Sequence, residues 1–262
     1  MAREHRFFTH DIQDSSGFQK QLTFSETLES AIFWQLTKVL RVKPGDRVCL
    51  LAPVREGDSN TEFLYSVADT NKKAVVLSLA DRRENHNELS FELELLLCMP
   101  NTPDKLSFIL QKSVELGVKK FILVDSDNSR MAQKLRPDRL ERIMTEAAEQ
   151  SERAVLPHIE MSHNLKAFLE MQTTLPKKMQ IYAAVERMER EGNESMNRFE
   201  IFEKMDVNNG AIVLIGPEGG FSDEEKQLIQ KTCQSFSLGK RVLRMETAAL
   251  LALGLFTLRS KN

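Results

Sequence analysis

From residue 90 onward, apolar strand-like segments alternate with amphipathic helical segments, and this alternation constrains the fold more than any other feature of the sequence. The strand candidates are "LSFELELLLCMP", "KKFILV", "LPHIEM", "MQIYAAV" and "GAIVLIG". The helix candidates are "TPDKLSFILQKSVELGV", "RPDRLERIMTEAAEQSERA", "HNLKAFLEMQ", "SDEEKQLIQKTCQ" and "ETAALLALGLFTLRS". Because strands that are joined through helices pair in parallel, we predict an α/β domain with a parallel sheet over residues 90–262.

The ends of two of these helices carry clear signals. Thr102 can cap the first helix, Pro103 suits its first turn, and Gly117 can terminate it. Ser222 and Glu225 have the spacing of a capping box, in which each side chain bonds the other residue's backbone N–H. A helix should therefore begin just after Phe221.

The first 81 residues have a different pattern. "VKPGDRVCLLAP", "TEFLYSVADT" and "KAVVLSLADR" predict short strands, and one helix is expected around "SETLESAIFWQLTKVLR", with Trp34 in the core rather than as a platform on which a base stacks. We interpret residues 1–81 as a small β-rich domain and the polar segment 82–89 as a linker to the α/β domain.

Composition excludes few functions. The net charge of −2 does not indicate a nucleic-acid binder, although a local basic face would suffice. The N-terminus shows no signal-peptide pattern, and the longest apolar run, "AALLALGLFTL", is too short to span a membrane. Three separated cysteines and five histidines lack metal-ligand spacing. We expect a cytoplasmic protein without a metal site or membrane segment.

The loop "IGPEGGFSDEE" (215–225) follows the most apolar strand candidate. Its glycines allow a ligand to approach the backbone, but it is neither a Walker A loop nor a G-x-G-x-x-G motif. Glu218 stands where a phosphate would otherwise bind. The loop therefore favours a neutral, zwitterionic or cationic ligand, or it is a tight turn that binds nothing.

A second loop, in "SLGKRVLRMETAALLALG" (237–254), carries three basic residues, Lys240, Arg241 and Arg244, before Glu246 and Thr247. The helix that follows is rich in Ala and Leu and can pack closely against another element. We interpret that helix as structural and the loop before it as a candidate binding segment.

Together these two stretches, "LIGPEGGFSDEE" and "LGKRVLRMETAAL", resemble the ribosomal RNA small subunit methyltransferase E family, which belongs to the knotted SPOUT class. "LQKSVELGVKKFI" (110–122) and "TEAAEQSERAVLPHIE" (145–160) are similar to two further segments of that family. "REHRFF" (3–8) and "VLRVKPGD" (39–46) resemble its N-terminal RNA-binding domain. The resemblance covers almost the whole chain.

The resemblance implies a C-terminal α/β trefoil knot, a small N-terminal β-barrel of PUA-like type, and S-adenosylmethionine as the cofactor. It implies cofactor binding by three loops, through Ala184, Val185, Glu186, Ile215, Gly216, Pro217, Glu218, Gly219, Gly220, Leu238, Gly239, Val242, Leu243, Arg244, Thr247 and Ala248. The cationic sulfonium makes a carboxylate such as Glu218 tolerable there.

The implied reaction is methyl transfer to N3 of a uridine in 16S rRNA, free or in the small subunit. Arg244 could stabilise charge that develops on the base, and either Glu218 or Glu246 could accept the imide proton. The expected RNA contacts are Arg6, Arg41, Arg130, Gln150 and Arg153. The resemblance also implies a homodimer, with the small apolar C-terminal helix as a contact surface.

Two other functions remain open on the sequence. A doubly wound nucleotide-dependent enzyme would place its glycine-rich loop after the first strand, and here the loop comes late. A non-catalytic RNA-binding or ribosome-assembly protein could keep the same fold. Methyl transfer by the purified protein separates these alternatives.

Overall fold

The computed structural model describes residues 4–14, 17–25, 31–52, 61–129, 135–162, 164–172, 179–185 and 196–260. The chain divides into two compact units. The first unit comprises Met1–Glu88 and Ala148–Leu156, and the second comprises Leu89–Ala147 and Pro157–Asn262. The sequence did not signal that residues 148–156 belong with the N-terminal residues.

A five-stranded mixed sheet dominates the first unit, in the order β1-β5-β6-β7-β4, with β1 and β5 parallel and the other pairs antiparallel. A small β2–β3 hairpin and a helical segment complete the unit, and the helical segment ends in a π-helical turn (Gln35–Val39). The elements are β1 (His5–Phe8), a 3-10 turn (His10–Ile12), β2 (Gln13–Asp14), β3 (Gly17–Phe18), β4 (Gln21–Ser25), α1 (Ala31–Trp34), β5 (Arg47–Leu51), β6 (Thr61–Thr70) and β7 (Ala74–Glu84).

Helical periodicity decides which aromatic side chain of α1 enters the core. Phe33 and Leu36 are buried in the apolar cluster of the first unit. Trp34, one position after Phe33, lies on the other face and remains 41% exposed. The prediction that Trp34 lies in the core was therefore wrong, because adjacent helical residues point in different directions.

The prediction that the linker over 82–89 begins at residue 82 was also wrong. β7 continues to Glu84, and its last residues pair with β6, Arg82 with Phe63 and Arg83 with Glu62. The side chain of Glu62 is almost fully buried and accepts hydrogen bonds from Arg6, Arg83 and Asn85. This ionic cluster allows a charged sequence to continue as a strand.

Arg153 takes part in a second buried ion pair in the first unit. Its Nη2 and Nε donate to Glu88 at 2.8 and 3.2 Å, and Oε1 of Glu88 also accepts from the backbone N–H groups of Ala154 and Val155 at 3.1 Å. The side chains of Arg153 and Glu88 are 3% and 4% exposed. A buried pair of this kind needs such additional hydrogen bonds to offset desolvation.

The second unit contains a seven-stranded parallel sheet in the order β10-β9-β8-β13-β11-β14-β12, which confirms the predicted α/β class. Its strands are β8 (Leu93–Cys98), β9 (Lys120–Val124), β10 (His158–Ser162), β11 (Gln180–Ala184), β12 (Met196–Asn197), β13 (Ala211–Ile215) and β14 (Gln234–Ser237). β11 pairs in parallel with both β13 and β14, so the carboxyl ends of these three strands lie side by side.

The predicted helices of this unit are present, and α2 packs on α7 and α4 on α6. They are α2 (Pro103–Glu115), α3 (Pro137–Gln150), α4 (Leu165–Gln172), α6 (Asp223–Thr232) and α7 (Met245–Thr257), of which α3 extends into the first unit; α5 (Arg198–Lys204) was not predicted. The predicted caps are confirmed. Thr102 accepts from the N–H of Lys105, and Ser222 and Glu225 form a reciprocal capping box.

Candidate functional site

A cavity of about 1020 Å³ lies in the second unit at the carboxyl ends of β11, β13 and β14. Three chain segments surround it: the end of β11, the loop after β13, and the loop that connects β14 to α7. The lining residues are Lys105, Ala184, Val185, Ile215, Gly216, Pro217, Glu218, Gly219, Gly220, Phe221, Lys226, Ile229, Ser237, Leu238, Gly239, Lys240, Arg241, Val242, Leu243, Arg244, Met245 and Ala248. This position is the usual ligand site of a parallel sheet.

The loop after β13 is tight because its glycines admit close neighbours. A Cβ atom on Gly216 would lie 2.6 Å from the ring of Phe221, and one on Gly219 would lie 3.1 Å from the Cβ of Asn128. Gly220 has a φ of +73°, and its N–H donates to the carbonyl of Pro217 at 2.9 Å. Larger residues at these positions would displace the turn.

Residues after β9 fix this loop from outside. The amide of Asn128 donates to the carbonyl of Gly220 at 2.8 Å, and the hydroxyl of Ser222 donates to Asp127 at 2.5 Å. The buried carboxylate of Glu225 accepts from the backbone N–H groups of Ser222 and Asp127, both at 2.9 Å. The loop geometry is therefore set before any ligand arrives.

Glu218 lines the cavity, but other groups in the protein already bind its carboxylate. Lys105 Nζ donates to Oε1 at 2.7 Å, and the N–H of Asn101 donates to Oε2 at 3.2 Å. The hydrogen bond to Glu218 raises the pKa of Lys105 above its ordinary value. This arrangement ties the loop after β13 to the start of α2.

The N-terminus of α7 brings the other candidate groups near the cavity. Arg244 precedes the helix as its N-cap, is exposed and lines the cavity. Glu246 and Thr247, in the first turn, do not line it. The Oε2 atom of Glu246 is buried and has no hydrogen-bond partner among the residues that the structure describes.

The loop before α7 carries positive charge at the cavity mouth. Lys240, Arg241 and Arg244 are all exposed, and none forms an ion pair with a carboxylate in the described part of the chain. Gly239 precedes them with a φ of +125°, which L side chains rarely adopt. An anionic ligand or substrate would therefore be attracted to this edge.

The cavity brings together the segments that the sequence singled out. Of the predicted cofactor residues, Glu186 lies outside the described residues, Thr247 does not line the cavity, and all the others do. Several lining residues were not predicted from the sequence. Lys105 is the clearest case, because it reaches the cavity from a helix more than 100 positions earlier in the chain, and no local pattern could have revealed it.

The predicted RNA-contact residues differ in their exposure to solvent. Arg41 and Gln150 are exposed, and Arg130 lies outside the described residues. Arg6 is buried in its ion pair with Glu62, and Arg153 is buried against Glu88. Direct contact of these two guanidinium groups with RNA stays a prediction, and their burial argues against it.

Metal-binding and membrane-spanning features are absent from the part of the chain that the structure describes. Within those ranges, no cluster of three or more His, Cys, Asp or Glu side chains could hold a metal ion. None of the described helices is both long and apolar enough to cross a bilayer.

Comparison with known proteins gives consistent results. Residues 87–257 match the family model of the RNA methyltransferase domain. Over 256 residues the chain is 30% identical to the ribosomal RNA small subunit methyltransferase E of Mesomycoplasma hyopneumoniae, covering 95% of this chain and 97% of the relative. It is 29% identical to the Bacillus subtilis protein of the same name, with 88% of both chains covered.

A solved structure extends the likeness to three dimensions. It is the ribosomal RNA small subunit methyltransferase E of Neisseria gonorrhoeae bound to S-adenosyl methionine. The two structures match with a TM-score of 0.76 at 21% identity, over 98% of both chains. At this level of identity the match shows that the two proteins share a fold.

Proposed function

Because the chain belongs to the ribosomal RNA small subunit methyltransferase E family, we propose that it transfers a methyl group from S-adenosylmethionine to N3 of a uridine in 16S rRNA. The single observation that supports this most is the cavity formed by three loops at the carboxyl ends of β11, β13 and β14. The 16S molecule, either free or in the small subunit, is the proposed substrate.

The residues that surround the cavity fit this cofactor. The backbone of the glycine-rich loop can approach a ligand closely, and Leu238, Val242 and Leu243 offer apolar surface for an adenine ring. Lys240 and Arg241 are available to a carboxylate. When bound, S-adenosylmethionine supplies an electrophilic methyl group on a cationic sulfur.

The protein must position the uridine and remove its imide proton, because the electron pair that this proton leaves on N3 would form the bond to the methyl carbon, while the bond between that carbon and sulfur would break and release S-adenosylhomocysteine. We propose Glu218 or Glu246 as the proton acceptor, of which Glu218 lines the cavity and Glu246 does not. Glu218 is already engaged by Lys105 and Asn101, whereas Oε2 of Glu246 has no partner among the described residues. Arg244, exposed at the cavity, would stabilise negative charge on a uracil carbonyl oxygen.

RNA would approach the basic edge formed by Lys240, Arg241 and Arg244, with Arg41 and Gln150 as further contacts. The positive charge of this edge supports the assignment, since phosphate contacts dominate the affinity of proteins for RNA. Arg130 stays in the proposal on sequence alone. Arg6 and Arg153 are reassigned to the stability of the first unit, because their guanidinium groups are paired with Glu62 and Glu88.

The finer architecture is also proposed. The strand order of the second unit is compatible with a trefoil knot, and the mixed sheet of the first unit supports a PUA-like barrel. Phe108 on α2 and Leu251 on α7 are 42% and 41% exposed on two helices that pack together. Such apolar residues support a homodimer contact at this face. We also propose a cytoplasmic location, because ribosomal RNA is the proposed substrate.

The direct test is methyl transfer by the purified protein. Small subunits and bare 16S rRNA from cells that lack the modification are incubated with S-adenosylmethionine, and digested nucleosides are identified by mass spectrometry. We expect 3-methyluridine at one position. If RNA binds but no methylated nucleoside forms, the alternative of a non-catalytic RNA-binding or assembly protein is favoured.

A further inference from the structure

The single tryptophan of the chain is exposed on the first unit and does not line the proposed cofactor cavity. Trp34 is 41% exposed, although Phe33 and Leu36 beside it are buried. The rings of Trp34 and Phe33 lie with their centroids 5.6 Å apart and an interplanar angle of 72°. The exposed part of the indole is an aromatic surface on the protein exterior.

Positive charge lies beside this indole and follows it in the sequence. Lys38, one helical turn later, places its Nζ 5.4 Å from the centre of the Trp34 ring. Arg41 and Lys43 follow and are exposed. Residues 31–47 contain four Lys or Arg residues and one acidic residue, Asp46, in a chain whose net charge is −2. The basic character is therefore local.

The acidic residue of this segment, Asp46, is hydrogen-bonded within the segment itself. Asp46 accepts a hydrogen bond from the backbone N–H of Lys43 at 2.7 Å, which closes the turn before β5.

Arg41 has a φ of +53°, and Glu152 is the other non-glycine residue with positive φ in the described part of the chain. This left-handed conformation ends the helical segment, since the N–H of Val42 donates to the carbonyl of Leu36 at 3.0 Å.

We propose that Trp34, Lys38, Arg41 and Lys43, which we call the tryptophan surface, bind an unpaired nucleotide of the RNA substrate. The base would stack on Trp34, and the three cations would contact its phosphate and those of its neighbours. A π-face beside positive charge matches a single-stranded nucleotide, which presents an aromatic ring and an anion together. The identity of the RNA rests on the proposed function, whereas the stacking contact does not.

An acidic protein is a weaker match to the same surface. It would use the cations but has no need of an exposed indole next to them, while stacking on Trp is tolerant of base identity.

Trp34 reports on its own contact, because the chain has no other tryptophan to contribute fluorescence. A single-stranded 12-nucleotide oligouridine is titrated into the full-length protein, with binding followed in parallel by the anisotropy of a labelled copy. We expect saturable quenching of Trp34 emission with the same midpoint as the anisotropy change. An unchanged emission during saturable binding would overturn the proposal, as would the absence of oligouridine binding.

Matched variants separate stacking from apolar contact. Trp34→Leu should weaken oligouridine binding about 10-fold and Trp34→Phe much less, because phenylalanine retains a π-face. Lys38→Ala should weaken binding and reduce its salt dependence. Gln35 is an exposed neighbour of Trp34, and Gln35→Ala should change neither the affinity for oligouridine nor its salt dependence. Equal affinity of wild type and Trp34→Leu would also overturn the proposal, and circular dichroism verifies that each variant is folded.

Enzyme kinetics distinguish this inference from the proposed function. With 16S rRNA as the substrate, Trp34→Leu should raise KM about 10-fold, with kcat and the affinity for S-adenosylmethionine unchanged. If the wild type quenches with RNA but methylates none, the proposed function fails and the stacking surface stands. If the wild type methylates normally and Trp34→Leu has the same KM, the stacking surface fails alone.

Discussion

The two units use charged residues in opposite ways. In the first unit, Arg6 and Arg153 have the sequence appearance of RNA contacts, yet both are buried against carboxylates. In the second unit, Lys240 and Arg241 are exposed at the mouth of a cavity, without a carboxylate partner among the described residues. The difference teaches that a basic residue in a motif indicates a ligand only where no acid of the same protein binds it first.

The largest effect should come from Gly219→Val, which should disrupt the cavity and leave the first unit unchanged. A Cβ at this position already lies 3.1 Å from Asn128, so the branched side chain must displace the loop after β13. We expect no measurable binding of S-adenosylmethionine by calorimetry, in a protein whose circular dichroism is unchanged. Gly254→Ala is the control, because a Cβ there meets no atom within 4 Å. Normal cofactor affinity of Gly219→Val would remove the loop from the site.

Glu62→Ala should lower the stability of the first unit and leave the cavity unchanged. Removing this carboxylate leaves Arg6 buried without its partner, which typically destabilises a protein by about 3 kcal/mol or more. The loss is measured by urea denaturation followed through Trp34, which lies in the same unit. Glu84→Ala, at an exposed position on β7, should have little effect. If both variants lose the same stability, the buried Glu62 contributes nothing to stability beyond what an exposed carboxylate contributes.

Arg244→Ala should separate chemistry from binding at the cavity. If its guanidinium stabilises charge on the uracil, kcat falls on the order of 100-fold while the affinity for S-adenosylmethionine changes less than about 3-fold. Lys226→Ala, another basic residue of the lining, is the comparison variant. The reverse pattern, weaker cofactor binding with normal kcat, would make Arg244 a cofactor-binding residue.

The smallest effect should be a pH dependence confined to the first unit. Burial alone would raise the pKa of Glu62, but the hydrogen bonds from Arg6, Asn85 and Arg83 outweigh it and hold the pKa below its ordinary value. The stability that this carboxylate contributes is therefore present above about pH 4.3, the ordinary pKa, and is lost as the pH falls through the lowered one. Denaturation between about pH 5 and pH 3 should show a larger loss of stability for wild type than for Glu62→Gln. Parallel curves for the two proteins would exclude this contribution.

The same contrast between local and distant contacts decides which features the sequence could predict. Alternating apolar and amphipathic segments placed the strands and helices of the second unit, and the capping signals at Thr102 and Ser222 located two helix starts. These signals are local. The inclusion of residues 148–156 in the first unit and the approach of Lys105 to Glu218 depend on contacts between distant segments, so no short pattern carries them.

Burial of charge was the least predictable feature. "REHRFF" and "EQSER" look solvent-facing because they are polar, yet Arg6 and Arg153 are buried through partners more than 50 positions away in the sequence. Trp34 shows the converse, an aromatic residue whose neighbours Phe33 and Leu36 fill the core in its place. The loop residues of the cavity were easier to predict, because an apolar strand that runs directly into glycine and proline is typical of a ligand-binding loop.

Calorimetric titration of the purified, full-length protein with S-adenosylmethionine tests the central claim most directly, with ATP and NAD as controls. The cavity lined by the glycine-rich loop, the end of β11 and the loop before α7 should bind one S-adenosylmethionine per chain, and neither nucleotide should bind measurably. Binding of ATP or NAD with equal affinity, or no binding of S-adenosylmethionine by folded protein in the presence of 16S rRNA, would contradict the account.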